Sequence, residues 1–270
     1  GSANASSIEW FEQRFQQSLS EINEHFDKFR ISDALMATYK LVWDDFCAWY
    51  LEMIKPAYQQ PIDQLTYDKT LCLFEDILKV LHPFMPFISE ELWHQINQRS
   101  VEESLILASW PESKPFDSQI TADAAQVFEV VSQIRNLRAS KGMSPKEALD
   151  LTIRTQNPGV YTQFESVLVK LANLSSLQFG DKVEQAMSFV IKGDECFVPM
   201  GGSIDVEAER ANLLRELEYT QGFLAGVLKK LSNERFVEGA PAQVLDMERR
   251  KLADAEAKIK ALEASLAQLG

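Results

Sequence analysis

Three groups of cationic side chains in the sequence are candidates for binding phosphate. The first borders a segment rich in aromatic residues, the second follows a later amphipathic segment, and the third surrounds a turn near the end. In chain order they are Arg30, Lys40 and Lys55; Arg135, Arg138, Lys141 and Lys146; and Lys229, Lys230, Arg235, Arg249, Arg250 and Lys251. Ammonium and guanidinium groups pair with phosphate oxygens, and aromatic planes stack on unpaired bases. The same cations are also typical of solvated side chains and surface ion pairs, so both interpretations stay open.

The overall charge of the chain opposes a polyanionic partner. The formal net charge is −13 and the sequence pI is about 4.8. Taken alone, this charge argues against a nucleic acid as partner. A phosphate, however, responds mainly to charges within about one Debye length, roughly 8 Å at physiological salt. An acidic chain can therefore still bind RNA through a local basic strip.

Length and cysteine usage restrict the class of protein. The 270 residues, 46% of them hydrophobic, are enough for two or three compact units. Cys47, Cys72 and Cys196 are far apart and have no paired spacing, which argues against a four-ligand zinc site and against a disulfide framework. A reducing cytoplasm is therefore the expected location. No stretch is apolar over the length that a membrane span needs, so we expect no membrane partner.

Residues 29–56 are predicted to form one aromatic-rich helix. Ser32 or Asp33 is the predicted cap, because a short side-chain oxygen can accept from the free amides of the first turn. Pro56 marks the expected end or a kink. Apolar residues recur at helical spacing and predict a buried stripe: Leu35, Tyr39, Val42, Phe46, Trp49 and Met53, widened by Ala34, Leu41 and Ala48.

The same residues carry a resemblance to a known family. The run Phe29–Ala34, followed by Tyr39, Trp43, Phe46-Cys47 and Trp49-Tyr50-Leu51-Glu52, resembles the anticodon-binding region of valyl-tRNA synthetases. Ala48 and Leu41 depart from the family pattern, which has Asp and an aromatic residue there. The segment from Leu81 to Trp93 resembles one that class I synthetases of the valine, isoleucine and leucine group share, and its Pro83 and Pro86 predict a tight corner between two helices.

Three domains are expected along the chain. Residues 1–100 are predicted to be an antiparallel helical bundle, with helices over 8–28 (capped by Ser6 or Ser7), 29–56, after Thr66, and after Pro86. His82 at the corner is predicted to be a buried, hydrogen-bonded histidine, with an RNA contact as the alternative. Residues 104–111 are expected to be an extended segment ending in Trp110-Pro111.

Residues 101–202 are predicted to be a small α+β unit. Helices are expected over 123–140 and 161–171, and strands over 149–154, 174–179, 187–191 and 195–199. The last two strands are predicted to form a hairpin across Lys192-Gly193-Asp194. The fold class expected for the whole chain is mostly α, with a bundle, this α+β unit and a terminal two-helix hairpin.

Residues 203–270 are predicted to be a two-helix antiparallel coiled coil. Leu217, Leu224 and Leu231 are seven residues apart, and a period of seven predicts a left-handed supercoil. The second helix repeats this spacing at Leu245, Leu252, Ile259 and Leu266. The turn between the helices, with the run from Leu231 to Val237 and then Ala240-Pro241, resembles the tip of the C-terminal arm of valyl-tRNA synthetases.

The sequence lacks the motifs that amino-acid activation needs in this family. It has neither His-x-Gly-His nor Lys-Met-Ser-Lys-Ser, and no glycine-rich phosphate loop follows a predicted strand. The resemblance therefore implies that the chain is the C-terminal part of a larger enzyme and is inactive by itself. It also implies that ATP binds in a catalytic domain upstream, so no cofactor is expected in this part.

Two classes of function remain. The resemblance implies docking of tRNA(Val) to a monomeric valine–tRNA ligase, with no DNA partner. The contacts it implies are Arg30, Arg135, Arg138, Lys141, Lys229, Lys230, Arg235, Arg249, Arg250 and Lys251. The alternative is a protein-interaction module, in which the heptads dock another helix. The acidic charge favours the alternative, and the three matched segments favour the first class.

Overall fold

The chain divides into two compact units, each with its own contacts. The computed structural model describes residues 4–199, 206–233 and 242–269. The first unit comprises Gly1–Ala148 and Gln156–Leu177, and the second comprises Leu149–Thr155 and Gln178–Gly270. The predicted fold class is confirmed: helices dominate, with one small sheet and a terminal helical hairpin. The three domains with boundaries near residues 100 and 202 stay a prediction.

Helices make up nearly all regular structure of the first unit. In chain order they are α1 (Ala5–Asp27), α2 (Ile31–Tyr39), a π-helix (Lys40–Tyr50), α3 (Leu51–Ile54), α4 (Gln64–Leu81), α5 (Pro86–Ile96), a 3-10 turn (Leu105–Leu107), α6 (Ser118–Ser140), α7 (Gly159–Gln163) and α8 (Glu165–Ala172). Helix α1 packs against α2, the π-helix, α4 and α6, which makes it the centre of the bundle. The helix predicted over 161–171 is interrupted at Phe164 and forms α7 and α8.

Several predicted helix caps are wrong. Helix α4 is capped by Asp63, whose carboxylate accepts a 3.0 Å hydrogen bond from the backbone amide of Thr66, the residue predicted to be the cap. Helix α1 begins at Ala5 and α2 at Ile31, both before the serine or aspartate expected to cap them. In neither of these two helices does the side chain at the N-cap position, immediately before the first helical residue, make a capping hydrogen bond. Packing of their apolar faces therefore has to decide where they begin.

Aromatic rings form the core between α1 and the π-helix. Phe11 stacks on Tyr50 with ring centroids 4.6 Å apart, and its centroid lies 5.4 Å from that of Phe46. Phe11 and Tyr50 are fully buried, and the Tyr50 hydroxyl pairs with the hydroxyl of Thr70 at 2.9 Å. Stacked and tilted ring pairs add stabilisation beyond the apolar area that they bury.

The helix predicted over 29–56 is continuous, but its buried side differs from the prediction. In α2 the buried residues are the small ones, Ala34, Ala37 and Thr38, which allow α2 to approach α1 closely. Leu41, Phe46 and Tyr50 are then buried at intervals of five and four residues, as suits the wider turn of a π-helix. The predicted stripe is confirmed at Ala34, Leu41, Phe46 and Met53, whereas Leu35, Tyr39 and Ala48 are exposed.

The histidine at the corner between α4 and α5 is hydrogen-bonded as predicted, but it is only partly buried. Nδ1 of His82 lies 2.8 Å from Oγ of Ser89, and this hydroxyl in turn donates to the carbonyl of Met85 at 2.8 Å. The extended segment expected over 104–111 instead contains a 3-10 turn. Leu105 in this turn is buried against Leu78 and Trp93, so apolar packing bends the chain inward.

Arg138 joins three parts of the first unit. Its side chain is only 6% exposed. One terminal nitrogen donates to the carbonyls of Ser144 (3.0 Å) and Glu147 (2.6 Å), and the other to those of Ala172 (3.0 Å) and Asn173 (3.1 Å). The planar guanidinium thereby ties the end of α6 to the loop after it and to the end of α8.

The second unit contains a sheet and a helical hairpin. The strands are β1 (Leu149–Arg154), β2 (Leu174–Phe179, whose last two residues belong to this unit), β3 (Ala186–Ile191) and β4 (Asp194–Pro199), in the order β2-β1-β4-β3. Strand β4 is antiparallel to β1 and β3, with Cys196 opposite Ile153 and Phe189. The predicted turn is confirmed: Lys192 and Gly193 have φ of 48° and 95°, which closes a tight hairpin. Burial raises the pKa of the Cys196 thiol to about 12, so this thiol is inert.

The terminal hairpin consists of α9 (Val206–Leu231) and α10 (Ala242–Leu269). Val227, Ala255 and Leu262 are buried along its seam, whereas Leu214 and Leu228 are about half exposed. Nζ of Lys258 lies 2.8 Å from Oε1 of Glu216 and links the two helices. The left-handed supercoil stays a prediction, and the predicted turn over 234–241 lies outside the described residues.

We expect the substitution Phe11→Ala to lower the free energy of unfolding of the first unit by about 3–5 kcal/mol, since it removes a fully buried ring. All five tryptophans lie within the first unit, so tryptophan fluorescence in a urea titration follows this unit alone. Phe87→Ala is the matched control, because Phe87 is 91% exposed. An equal loss of stability in both variants would contradict the assignment of the core.

We expect Arg138→Lys to lower the same free energy by about 2–4 kcal/mol, because an ammonium cannot reach all of the carbonyls that the guanidinium spans. Arg135→Lys, an exposed change three residues away on the same helix, should stay within about 0.5 kcal/mol of the original protein. A normal urea midpoint for Arg138→Lys would show that these hydrogen bonds are dispensable.

Candidate nucleic-acid interface

An exposed aromatic pair stands at the junction of α2 and the π-helix. The rings of Tyr39 and Trp43 are stacked, with centroids 6.4 Å apart and planes inclined by 16°. Tyr39 is 52% and Trp43 is 60% exposed, and Met36 beside them is also largely exposed. Because the small residues of α2 face α1, these large side chains are directed to solvent. Exposed, paired rings of this kind offer a stacking platform for an unpaired base.

A cavity of about 400 Å³ opens beside Tyr39. Its other lining residues combine carboxylates, a histidine and a lysine: Glu21, His25, Asp33, Met36, Ala37, Lys40 and Asp44. Nδ1 of His25 is buried and has no hydrogen-bond partner among the described residues, while Nε2 lies 3.7 Å from Oε1 of Glu21. Carboxylate oxygens accept from the exocyclic amino groups of bases, and they repel phosphate. The cavity therefore suits a base edge better than a phosphate.

Exposed Arg135 and partly buried Trp49 form a second stacking surface in the first unit. The guanidinium carbon of Arg135 lies 5.7 Å from the centroid of the Trp49 ring. Trp49 stacks on Phe128 at 4.1 Å with nearly parallel planes, and Phe128 meets Trp10 edge-on at 4.9 Å. One terminal nitrogen of Arg135 donates to the carbonyl of Leu171 at 3.3 Å. A guanidinium has five donors in all, so Arg135 retains donors for phosphate.

The other predicted cations of the first unit differ in accessibility. Arg30 is exposed immediately before α2, and Lys40 is exposed next to Tyr39. Lys55 is also exposed and pairs with Glu52 at 3.2 Å, and Lys141 is partly buried at the end of α6. Arg138 is buried and hydrogen-bonded to backbone carbonyls. We therefore do not carry the predicted RNA contact of Arg138 into the proposal below.

The predicted cations of the hairpin lie near its turn, on both helices. Lys229 and Lys230 are in the last turn of α9, and Arg249, Arg250 and Lys251 follow in the early turns of α10. Arg249 is 3.8 Å from Asp246, while the part of the chain that the structure describes contains no ion pair for Lys229 or Arg250. Arg235 lies outside the described residues.

Glu248 brings two of these cations together. Oε1 of Glu248 lies 2.8 Å from Nζ of Lys251 and 3.8 Å from Nζ of Lys230. The hydrogen bond from Lys251, helped by the charge of Lys230, lowers the pKa of this carboxyl below its usual value. Glu248 therefore pairs with cations from both helices of the hairpin.

Other kinds of site find no support in the described ranges 4–199, 206–233 and 242–269. No group of three or more His, Cys, Asp or Glu residues in them is placed to hold a metal ion. Among the helices of those ranges, none combines the length and hydropathy of a membrane span.

Sequence reasoning missed two features of these surfaces. Tyr39 was assigned to the buried stripe, and the exposed pair with Trp43 depends on the switch into a π-helix. His25 was not singled out, because its place beside Tyr39 depends on how α1 packs against α2. The small residues of α2, Ala34, Ala37 and Thr38, were the one signal in the sequence that could have predicted this packing, since such residues commonly lie where helices approach closely.

Comparisons with known proteins agree with the resemblance seen in the sequence. Residues 9–153, more than half of the chain, match the family described as the anticodon-binding domain of tRNA ligase. Residues 205–270 match the family described as the valyl tRNA synthetase tRNA binding arm. The first matched range includes both stacking surfaces of the first unit, with Tyr39, Trp43 and Arg135, and the second includes the hairpin cations.

Curated relatives are similar over almost the whole chain. A valine–tRNA ligase of Christiangramia forsetii is 48% identical over 263 residues, which is 97% of this chain. One from Parabacteroides distasonis is 46% identical over 99% of the chain, and one from Enterococcus faecalis is 34% identical over 96%. The chain spans about 30% of the length of the first two of these relatives. From the match over residues 9–153, the chain belongs to the family of anticodon-binding domains of tRNA ligases.

Proposed function

We propose that this chain is the tRNA-docking part of a valine–tRNA ligase, an enzyme that joins valine to tRNA(Val) with the use of ATP. The observation that carries the proposal is the presence of both matched regions in one chain, an anticodon-binding domain and an arm of the valyl type. The relatives named above are valine–tRNA ligases, and their similarity to almost the whole chain supports the same assignment.

The first unit is proposed to read unpaired bases of the anticodon loop. Tyr39 and Trp43 supply stacking, and the cavity beside them supplies acceptors for base amino groups. Arg30 and Lys40 at its edge, and Arg135 over Trp49, supply phosphate contacts. This division of labour is typical of proteins that read single-stranded loops, where stacking holds the base and hydrogen bonds distinguish it.

The hairpin is proposed to hold the folded tRNA through its phosphates. Lys229, Arg249 and Arg250 are exposed, and Lys230 and Lys251 are about half exposed, so all can reach a phosphate. Arg235 and Lys141 belong to the same proposal from the sequence. Contacts of this kind set the position of the RNA without reading its sequence.

The remaining parts of the proposal concern the whole enzyme. Catalysis and ATP binding are assigned to a region outside this chain, so the chain alone should not activate valine, and it is proposed to act as a monomer. A cytoplasmic location fits the thiols, since Cys47 and Cys72 are exposed and free and Cys196 is buried and free.

A protein-interaction module is the second candidate. Large apolar side chains are exposed on the hairpin, among them Tyr219, Phe223 and Met247, and such side chains can dock another helix. The net charge of −13 also favours this candidate. Salt separates the two functions, because phosphate binding weakens steeply as salt rises and apolar docking changes little.

We expect the double variant Tyr39→Ala and Trp43→Ala to bind a tRNA(Val) transcript about tenfold more weakly than the original chain, since each stacked base is worth about 1–3 kcal/mol. Fluorescence titration of end-labelled tRNA measures this affinity. Tyr58→Ala removes an aromatic ring that is 89% exposed in a loop and should leave the affinity unchanged. Equal affinities for the double variant and the original chain would remove the aromatic pair from the interface.

We expect charge reversal of Lys229 and Arg250 to glutamate to weaken binding of the same transcript and to reduce the slope of log affinity against log salt by roughly two, at about 0.9 per phosphate contact. The matched control reverses Lys114 and Lys182, which are exposed and lie outside the candidate surfaces. If both double variants weaken binding equally, the net charge of the chain determines the affinity and the arm has no particular role in binding. A salt-independent affinity of the original chain would favour the protein-interaction module.

A further inference from the structure

A carboxylate occupies a core position of the hairpin near its turn. Ala255 and Leu262 are buried on the seam of α10 and are seven residues apart, and Glu248 lies seven residues before Ala255. The Glu248 side chain is only 7% exposed. The period of seven therefore predicts an apolar residue at position 248, and the sequence has an acidic one there instead.

Glu248 is held by one lysine from each helix. Lys251 lies one turn further along α10, and Lys230 is on α9, and both ammonium groups approach the same oxygen, Oε1. The other oxygen, Oε2, is buried without a hydrogen-bond partner among the described residues. The arrangement is therefore an ion triad that links the two helices just below the turn.

Stability alone does not account for this triad. Buried ion pairs contribute little net stability, and well-packed apolar residues in their place are often as stabilising or more so. The helices also have a second cross-link, between Glu216 and Lys258, at the exposed edge of the seam. A buried carboxylate whose Oε2 has no hydrogen-bond partner in the described part of the hairpin therefore calls for a role other than stability.

The two lysines are placed to face outward. Their side chains are 59% (Lys230) and 46% (Lys251) exposed, so the ammonium groups sit at the surface while Glu248 lies beneath them. Each ammonium has three N–H donors, and contact with Glu248 uses at most one of them. The remaining donors are free to bind anions outside. Flexible lysine side chains would otherwise lose rotamer entropy when they bind RNA.

We propose that Glu248 is a positioning residue for RNA binding, a buried anchor that holds the ammonium groups of Lys230 and Lys251 ready for phosphate. This inference rests on the proposed function of the arm. It goes further in assigning a role in RNA binding to an acidic side chain that does not itself touch RNA. The anchored ammonium groups lose less conformational entropy when they bind phosphate. The resulting gain in binding free energy outweighs the repulsion between Glu248 and the phosphates.

The sign of the effect of Glu248→Gln tests this role. Electrostatics alone predicts tighter RNA binding, because the variant removes a negative charge next to two lysines. We expect the opposite, a loss of affinity of about threefold to tenfold for a tRNA(Val) transcript, with a salt slope reduced by roughly one. The control Glu256→Gln makes the same charge change at an exposed position of α10 and should bind equally well or slightly better.

Glu248→Leu separates positioning from stability. Leucine completes the apolar seam, so the hairpin should melt at a higher temperature by far-ultraviolet circular dichroism, while the tryptophan fluorescence of the first unit stays unchanged. We expect this variant to lose tRNA affinity to the same extent as Glu248→Gln, although its hairpin is more stable. Unchanged or tighter binding by either variant would overturn the inference.

Failure of the two proposals can be told apart. If the original chain does not bind the transcript in a salt-dependent manner, the proposed function is wrong, and with it the positioning role. If the original chain binds and Glu248→Leu binds as tightly, only the positioning role is wrong. In the free chain, Lys230→Met should lower the melting temperature of the hairpin in the original background and not in the Glu248→Leu background, because only the original background has a buried carboxylate that loses one of its two cationic partners. Equal effects of Lys230→Met in both backgrounds would contradict the triad itself.

Discussion

Close packing of α1 against α2 is the constraint on which the candidate surface of the first unit depends. The contact is made through Ala34, Ala37 and Thr38, and small side chains are what allow two helix backbones to approach. Once these residues face the core, the larger neighbours Leu35, Met36 and Tyr39 have to face solvent. The π-helix then restores large buried residues at Leu41, Phe46 and Tyr50 and keeps Trp43 outside. The exposed aromatic pair is therefore a geometric consequence of how the core is filled.

Net charge is a poor guide to the partners of this chain. The chain carries 40 acidic and 27 basic side chains, yet some of its exposed cations are grouped beside aromatic rings and near the turn of the hairpin. Acidic side chains elsewhere on the surface act on a phosphate only through screened, long-range fields. For the proposed RNA partner, these side chains would lower the rate of encounter, and short-range contacts would decide the stability of the complex. In that proposal, acidic groups next to cations, such as Glu248, act on those contacts directly.

Arginines three residues apart on α6 show how little residue type alone says about role. Arg135 and Arg138 both belong to the cationic end of this helix, and both were assigned to RNA from the sequence. Arg135 lies over Trp49 at the surface, whereas Arg138 is turned toward four backbone carbonyls. Unpaired carbonyls at the ends of helices and in buried loops need donors, and a guanidinium can supply several at once. Arg138 thus binds backbone carbonyls of its own chain, where the sequence predicted a contact with RNA.

The sequence by itself determined the kinds of element and most of their bounds. Hydrophobic periodicity located the long helices, the alternation at period two located β1, and the Lys192-Gly193 turn located the strand hairpin, because these signals act over a few neighbouring residues. The family resemblance, carried by residues such as Trp49-Tyr50 and the corner around Pro86, was also readable from the sequence. Only the tertiary structure decided which side of the aromatic helix is buried, which arginine reaches solvent and that Glu248 sits beneath two lysines. These facts depend on contacts between residues far apart in the chain and on a change of helical period, and no local pattern encodes either.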